Sequence, residues 1–375
     1  MEILISAGEA SADRYGAAIM TEIRSRNASV SFSGLGGALM AAGGFEMLAN
    51  AKDVSVMGFS AVVKRLPVIR RAHAALRQRL SSGRVRVALL IDFPDFNLRL
   101  AAFARKAGVK VVYLVAPQTW AWRPGRVKIL PGLVDRMLCI LPFEEMELRS
   151  AGVDTVFVGH PMRDLAVPTA SQDRLRQQHR LPADASLVGL VPGSRVHVME
   201  RLLPTMVAAG HLLQKERPDV QFLIPVAGTL DRAKVQQCAS SLGDQVHVRS
   251  GCFTDLMSCC SVAVSASGTA TLELALLGVP TVIVYRVGGL LSWLARRFLR
   301  VRHVGLPNLV AGRKLLPERL QDGFRADAVA NDLNYWLSED KERQVLSDEL
   351  RALRNLLGPP GVLGRVADQV LEVAA

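Results

Sequence analysis

The residues best suited to chemistry lie where buried apolar runs give way to small, hydroxylated or glycine residues. Ser265-Ala266-Ser267-Gly268-Thr269-Ala270-Thr271-Leu272-Glu273 follows the apolar run 262–264 and opens a Leu/Ala-rich helical stretch. Such a strand-to-helix junction offers backbone N–H groups and the positive end of a helix dipole, and Gly268 lets a ligand come close to the main chain. That combination suits phosphate, and it equally suits a capped structural helix start. Glu273 lies too far into the helix for a capping box. Its neighbours at three and four residues, Thr269, Ala270, Leu276 and Leu277, include no base. A carboxylate in that company needs a partner from elsewhere, either a core hydrogen bond or a ligand hydroxyl.

Four more stretches carry usable groups. Pro192-Gly193-Ser194-Arg195 is a similar turn with an arginine able to pair with a diphosphate in two places. Ala7-Gly8-Glu9-Ala10-Ser11-Ala12-Asp13 is another glycine-and-hydroxyl turn before a helix, with Ser11 or Asp13 as its expected cap. Asp92-Phe93-Pro94-Asp95-Phe96-Asn97 ends the apolar run 85–91. Ligands of open parallel sheets gather at the carboxyl ends of strands, which favours Asp92 as a general base, with Asp95 or Asn97 as the helix cap beside Pro94. The loop from Ala116 to Arg126, with Trp120, Trp122, Arg123 and Arg126, serves either sugar and phosphate binding or packing between domains.

Other chemistries find no support. His160 has no Ser, Cys or metal-type companion at useful spacing, so neither a hydrolytic triad nor a metal site is indicated. Phe32-Ser33-Gly34-Leu35-Gly36-Gly37 lacks dinucleotide-fingerprint spacing and reads as tight turns. Five cysteines without a C-x-x-C pair argue against a disulfide framework and fit a reducing compartment.

The elements that must position these groups are short apolar runs alternating with longer helical stretches, the pattern of parallel sheets with crossover helices. One series runs at 3–6, 85–91, 110–115, 138–141 and 156–158. A second follows the linker-like 167–171, at 187–191, 222–226, 246–248, 262–265 and 281–285. We therefore expect two α/β domains, 1–167 and 168–375, with the terminal helices able to pack back on the first. With 375 residues, half of them hydrophobic, the core is ample. A formal charge of +12, from 46 Lys and Arg against 34 Asp and Glu, implies an acidic partner. No nucleic-acid module is recognisable, so phosphates or an anionic membrane surface are preferred. The basic-apolar segment 61–71 would suit such a surface if exposed, although such a segment is more often a helix with a solvated basic face; 288–303 suits an interfacial helix or a helix buried at a subunit contact. The chain opens on a strand without signal-peptide features, and no apolar run approaches the ~20 residues that span a bilayer.

Two such domains facing a shared cleft suggest the GT-B arrangement of nucleotide-sugar glycosyltransferases, two facing Rossmann-like domains. More specifically, the chain resembles the lipid-A-disaccharide synthase family. The motifs are collinear over nearly the whole length: Gly8-Glu9-Ala10-Ser11, Val56-Met57-Gly58, Asp92-Phe93-Pro94-Asp95-Phe96-Asn97, Trp120-Ala121-Trp122-Arg123, Leu141-Pro142-Phe143-Glu144, Gly159-His160-Pro161, Pro192-Gly193-Ser194-Arg195, Ser267 to Glu273, Tyr285-Arg286 and Leu306-Pro307-Asn308-Leu309.

The resemblance implies an inverting, metal-independent enzyme with no cofactor. It would join UDP-2,3-diacylglucosamine to 2,3-diacylglucosamine 1-phosphate through a β-1,6 bond and release UDP, from the cytoplasmic face of the inner membrane. Asp92 would deprotonate the acceptor; Arg195, the Ser267, Gly268 and Thr269 amides and Ser11 would face the diphosphate; Glu273 would hold the ribose; and Asn308 and Gln321 would lie on the donor side. A homodimer stays open. Ala12 stands where the family normally has Gly, and Ala61 and Val198 stand where it normally has Glu. Two alternatives remain: another UDP-sugar enzyme of this architecture, such as a 2-epimerase, and a non-catalytic lipid- or nucleotide-binding relative.

Overall fold

The computed structural model describes residues 1–54, 59–117, 124–286 and 303–375. They form two compact units, Met1–Asp164 with Leu357–Ala375, and Leu165–Leu356. The last helix, Val362–Ala374, thus belongs to the first unit, where it packs against the helix Ala10–Arg26.

The first unit is built on a seven-stranded parallel sheet. Its strands are β1 (Glu2–Ala7), β2 (Ser31–Gly36), β3 (Glu46–Asn50), β4 (Val85–Ile91), β5 (Lys110–Leu114), β6 (Arg136–Cys139) and β7 (Thr155–Phe157), in the order β3-β2-β1-β4-β5-β6-β7. The second unit carries β8 (Leu187–Val191), β9 (Gln221–Pro225), β10 (Val246–Arg249), β11 (Val262–Ala266), β12 (Thr281–Tyr285) and β13 (Glu318–Leu320), in the order β10-β9-β8-β11-β12-β13. The central strands β1, β8 and β11 are buried at every residue, as Val/Ile/Leu/Ala-rich strands covered on both faces must be.

Each order reverses once. From β1 the chain moves outward to β2 and β3, then returns to β4 on the other side and proceeds to β5; β8 and β11 stand in the same relation. Right-handed crossovers in opposite directions put helices on opposite faces, and leave a crevice beyond the carboxyl ends of the two strands at the reversal. In the first unit this is the β1/β4 edge, with Ala7 opposite Ile91. In the second it is the β8/β11 edge, with Val191 opposite Ser265.

Three strands depart from expectation. The stretch Phe32 to Gly37, expected as tight turns, is mostly β2. Its glycine has a packing reason: at Gly34, φ is +140° and a Cβ would stand 2.1 Å from the Ile5 carbonyl oxygen of β1. The edge strands β3 and β13 are only partly buried, so no apolar run marks them. The basic-apolar segment 61–71 lies in the helix Phe59–Leu80. Most of the segment 288–303 lies outside the described residues.

Candidate active site

In the first unit, Gly8 and Asp92 follow the paired ends of β1 and β4. Asp92 and Phe93 have φ of +49° and +52°, consecutive left-handed residues without glycine's freedom. Each such residue costs about 1–2 kcal/mol, so the surroundings must hold the turn. The turn reverses the chain into the helix Pro94–Lys106, with Pro94 at its first position, where a missing N–H costs nothing. Phe93, not Asp95 or Asn97, is the helix cap residue, and no side chain closes that cap. Asn97 is instead fully buried and ties the two strand ends together. Its Oδ1 accepts from the Ser6 hydroxyl at 2.6 Å and its Nδ2 donates to the Asp92 carbonyl at 2.7 Å. Phe93 stacks on Phe96 and lies over Gly8, where a Cβ would come within 2.4 Å of its ring.

Ser11 is half-buried in the first turn of the helix Ala10–Arg26, whose cap position is Glu9. Asp13 does not cap this helix. Its carboxylate accepts the N–H groups of Gly37, Leu39 and Met40, and so caps the neighbouring helix Ala38–Ala42. The Ala12 methyl is accommodated in the core.

In the second unit, Arg195, Ser267–Thr269 and Gln321 follow the ends of β8, β11 and β13, whereas Glu273 and Asn308 lie within the helices Thr269–Leu276 and Leu306–Ala311. Arg195 is half-buried at the cap position of the helix Val196–Glu216, beyond β8. Its turn lies beside β11, since a Cβ on Gly193 would stand 3.4 Å from Ala266 Cβ and equally close to Val198. Ser267, Gly268 and Thr269 follow β11, with Gly268 capping the helix Thr269–Leu276. A Cβ on Gly268 would meet no atom of the described residues within 4 Å. The Ser267 amide, however, donates to the Val284 carbonyl at 2.9 Å and extends the β11–β12 pairing. The Ser267 amide, expected to face a diphosphate, is therefore taken up within the sheet. Arg286 follows β12 and Gln321 follows β13, and the Arg286 guanidinium donates to the Gln321 and Phe324 carbonyls.

Glu273 is 4% exposed, and its Oε1 accepts from the hydroxyl of Thr254, a residue at 0% exposure. The partner that the sequence demanded thus includes a core hydroxyl, brought by the helix Phe253–Ser258. Asn308 is also fully buried. Its Oδ1 accepts from the Leu315 and Leu316 N–H groups, and its Nδ2 donates to the Leu316 carbonyl and to Glu318. Glu318 in turn accepts from the Val304 and Gly305 N–H groups, and the Val304 carbonyl receives the Ser267 hydroxyl. Asn308 therefore belongs to a polar knot behind the Ser267 turn. Nothing in sequence spacing marked Thr254 or Glu318 as members of this arrangement.

His160 is buried, and burial pushes its pKa down to about 3. Its Nδ1 accepts from the Met162 N–H and its ring meets Tyr15 edge-on, a structural role for the Gly159-His160-Pro161 motif. The tryptophan loop, Val56-Met57-Gly58 and Ala61 lie outside the described residues or side chains. Among the described residues, no three His, Cys, Asp or Glu side chains are grouped to hold a metal ion. A cavity of about 340 Å3 opens at the far end of the first sheet, between Val85, Lys110 and Ala374, away from Asp92.

A sequence profile described as lipid-A-disaccharide synthetase matches residues 3–359. The lipid-A-disaccharide synthase of Geobacter sulfurreducens is 39% identical over 371 residues, covering 99% of this chain and 97% of the relative. That of Myxococcus xanthus is 40% identical over 371 residues, with the same coverage. Among solved structures, the UDP-GlcNAc 2-epimerase from Neisseria meningitidis bound to UDP-GlcNAc superposes with a TM-score of 0.68 at 13% identity, covering 99% of this chain and 100% of that one. The calicheamicin glycosyltransferase CalG4 gives 0.59 at 15%, covering 99% and 98%. These two likenesses establish the fold, a GT-B type pair of parallel α/β domains. On the match along almost its entire length, the chain belongs to the lipid-A-disaccharide synthase family of glycosyltransferases.

Proposed function

We propose that this enzyme transfers the diacylglucosamine unit of UDP-2,3-diacylglucosamine to the 6-hydroxyl of 2,3-diacylglucosamine 1-phosphate, forming the β-1,6 disaccharide 1-phosphate and UDP. One observation carries the assignment of residues beyond family membership. In each unit, the groups suited to chemistry collect at the carboxyl ends of the strands where the sheet order reverses, Asp92 in the first and Arg195 with Gly268 and Thr269 in the second.

In this mechanism the Asp92 carboxylate takes the proton from the acceptor 6-hydroxyl as that oxygen attacks the anomeric carbon. The bond from that carbon to the diphosphate breaks with its electron pair on UDP, and one displacement inverts the centre. The developing negative charge is met by the Arg195 guanidinium and by the Gly268 and Thr269 amides at the head of their helix, with Ser11 as a further hydroxyl donor. Glu273 accepts from the ribose hydroxyls. Gln321, next to Arg286, lines the donor side, and Asn308 supports it through the Glu318 knot.

The net charge of +12 and the lipid nature of both substrates support action at an anionic membrane surface, on the cytoplasmic face of the inner membrane. No helix among the described residues is long and apolar enough to cross a membrane. The test is an assay of the purified protein with both acylated substrates. UDP release coupled to disaccharide formation is expected, and Asp92→Asn should lower kcat by at least about 100-fold without unfolding the protein. Turnover of UDP-N-acetylglucosamine without a lipid acceptor would point to an epimerase, and UDP binding without product to a non-catalytic relative.

A further inference from the structure

We propose that Tyr113 is a positioning residue for the Asp92 carboxylate, acting through the backbone of the turn that carries it; the inference rests on the base role proposed above. A left-handed pair such as Asp92 and Phe93 persists only where neighbouring groups over-determine it. The Asp92 carbonyl oxygen accepts from the Tyr113 hydroxyl at 2.7 Å and from Asn97 Nδ2 at 2.7 Å. The donors come from β5 and from the helix Pro94–Lys106, so the carbonyl is held from two elements. The Asp92 N–H donates to the carbonyl of Leu114, also on β5, at 2.9 Å. Adjacent residues of one strand thus grip both polar groups of the Asp92 backbone.

The side chains making this grip are themselves constrained. Ser6 donates its hydroxyl to Asn97 Oδ1, which sets the amide orientation and leaves Nδ2 facing the Asp92 carbonyl. Tyr113 is 0% exposed, within the hydrophobic core of the first unit. Phe would fill such a position equally well by volume, whereas a buried phenol requires a hydrogen-bond partner. The hydroxyl is therefore the feature that needs a purpose, and it meets the backbone of the catalytic turn. Without it, the Asp92 peptide can rotate towards an ordinary φ and carry the carboxylate off the line of the acceptor hydroxyl.

Steady-state kinetics with both acylated substrates on the full-length protein, beside thermal melting, decide the matter. Tyr113→Phe should lower kcat roughly 10- to 100-fold while the donor KM stays within about twofold and the protein remains folded at the assay temperature. Ser6→Ala should show the same split with a smaller loss, and keeps the inference testable if Tyr113→Phe does not fold. Wild-type kcat in both variants, with Asp92→Asn inactive, overturns the positioning role and leaves the base in place. A loss of activity that only follows the folded fraction also overturns it. Full activity in Asp92→Asn removes the base assignment, and the positioning role with it.

Discussion

A carboxylate at 4% exposure must be matched by a donor, and for Glu273 the Thr254 hydroxyl supplies a match inside the fold. That contact makes a core role and a ribose role distinguishable by measurement. Glu273→Ala is expected to raise the donor KM about tenfold with little change in the acceptor KM. A lowered melting temperature with an unchanged donor KM would assign Glu273 to the Thr254 contact alone. From the sequence, Glu273 stood out because its helical neighbours lack a base, but the identity of its partner, 19 residues away, was not legible. Asn308 shows the opposite limit. The motif marked it, yet only the contacts with Leu315, Leu316 and Glu318 reveal how its amide is used.

At the level of elements, the apolar runs predicted the central strands well, because strands buried on both faces must be apolar throughout. The turns after them were legible as glycine-rich and hydroxylated, but the direction of each side chain was not. Asp13 reaches across to a second helix, and Phe93 takes the cap position expected for Asp95 or Asn97. The packing of Gly8 against Phe93 gives a prediction at this scale. Gly8→Ala places a Cβ 2.4 Å from a ring carbon, so Phe93 must move and the Asp92 turn with it. We expect kcat to fall roughly tenfold or more with a modest change in donor KM, measured beside melting temperature. A fully active Gly8→Ala would show that Phe93 moves without disturbing Asp92.

For the molecule as a whole, buried neutral histidine links folding to pH. An unfolded histidine takes up a proton near pH 6.5, whereas His160 does so only at about 3. Between these values the unfolded chain binds more protons, so stability falls as pH falls, by up to about 1.4 kcal/mol per pH unit. His160→Asn keeps an acceptor for the Met162 N–H and removes this titration. Its melting temperature should decline less steeply than that of the unaltered protein from about pH 6.5 to about pH 4. His73, His197 and His247, also pushed down by burial, titrate in both proteins and cancel in the comparison. Equal slopes would show that His160 does not govern acid stability.

By itself the sequence determined the fold class and the family, because period, burial and small-residue turns are local properties and the motifs recur in order along the chain. It also determined which strand ends carry Asp92, Arg195 and the Ser267 turn. Only the tertiary structure decided that β1 meets β4 and that β8 meets β11, since sheet order depends on pairings between strands far apart in the chain. It alone brought Thr254 to Glu273 and Glu318 to Asn308. It also set Tyr113 and Asn97 on one carbonyl, because a buried hydrogen bond joins whichever groups packing brings within about 3 Å, whatever their separation in sequence.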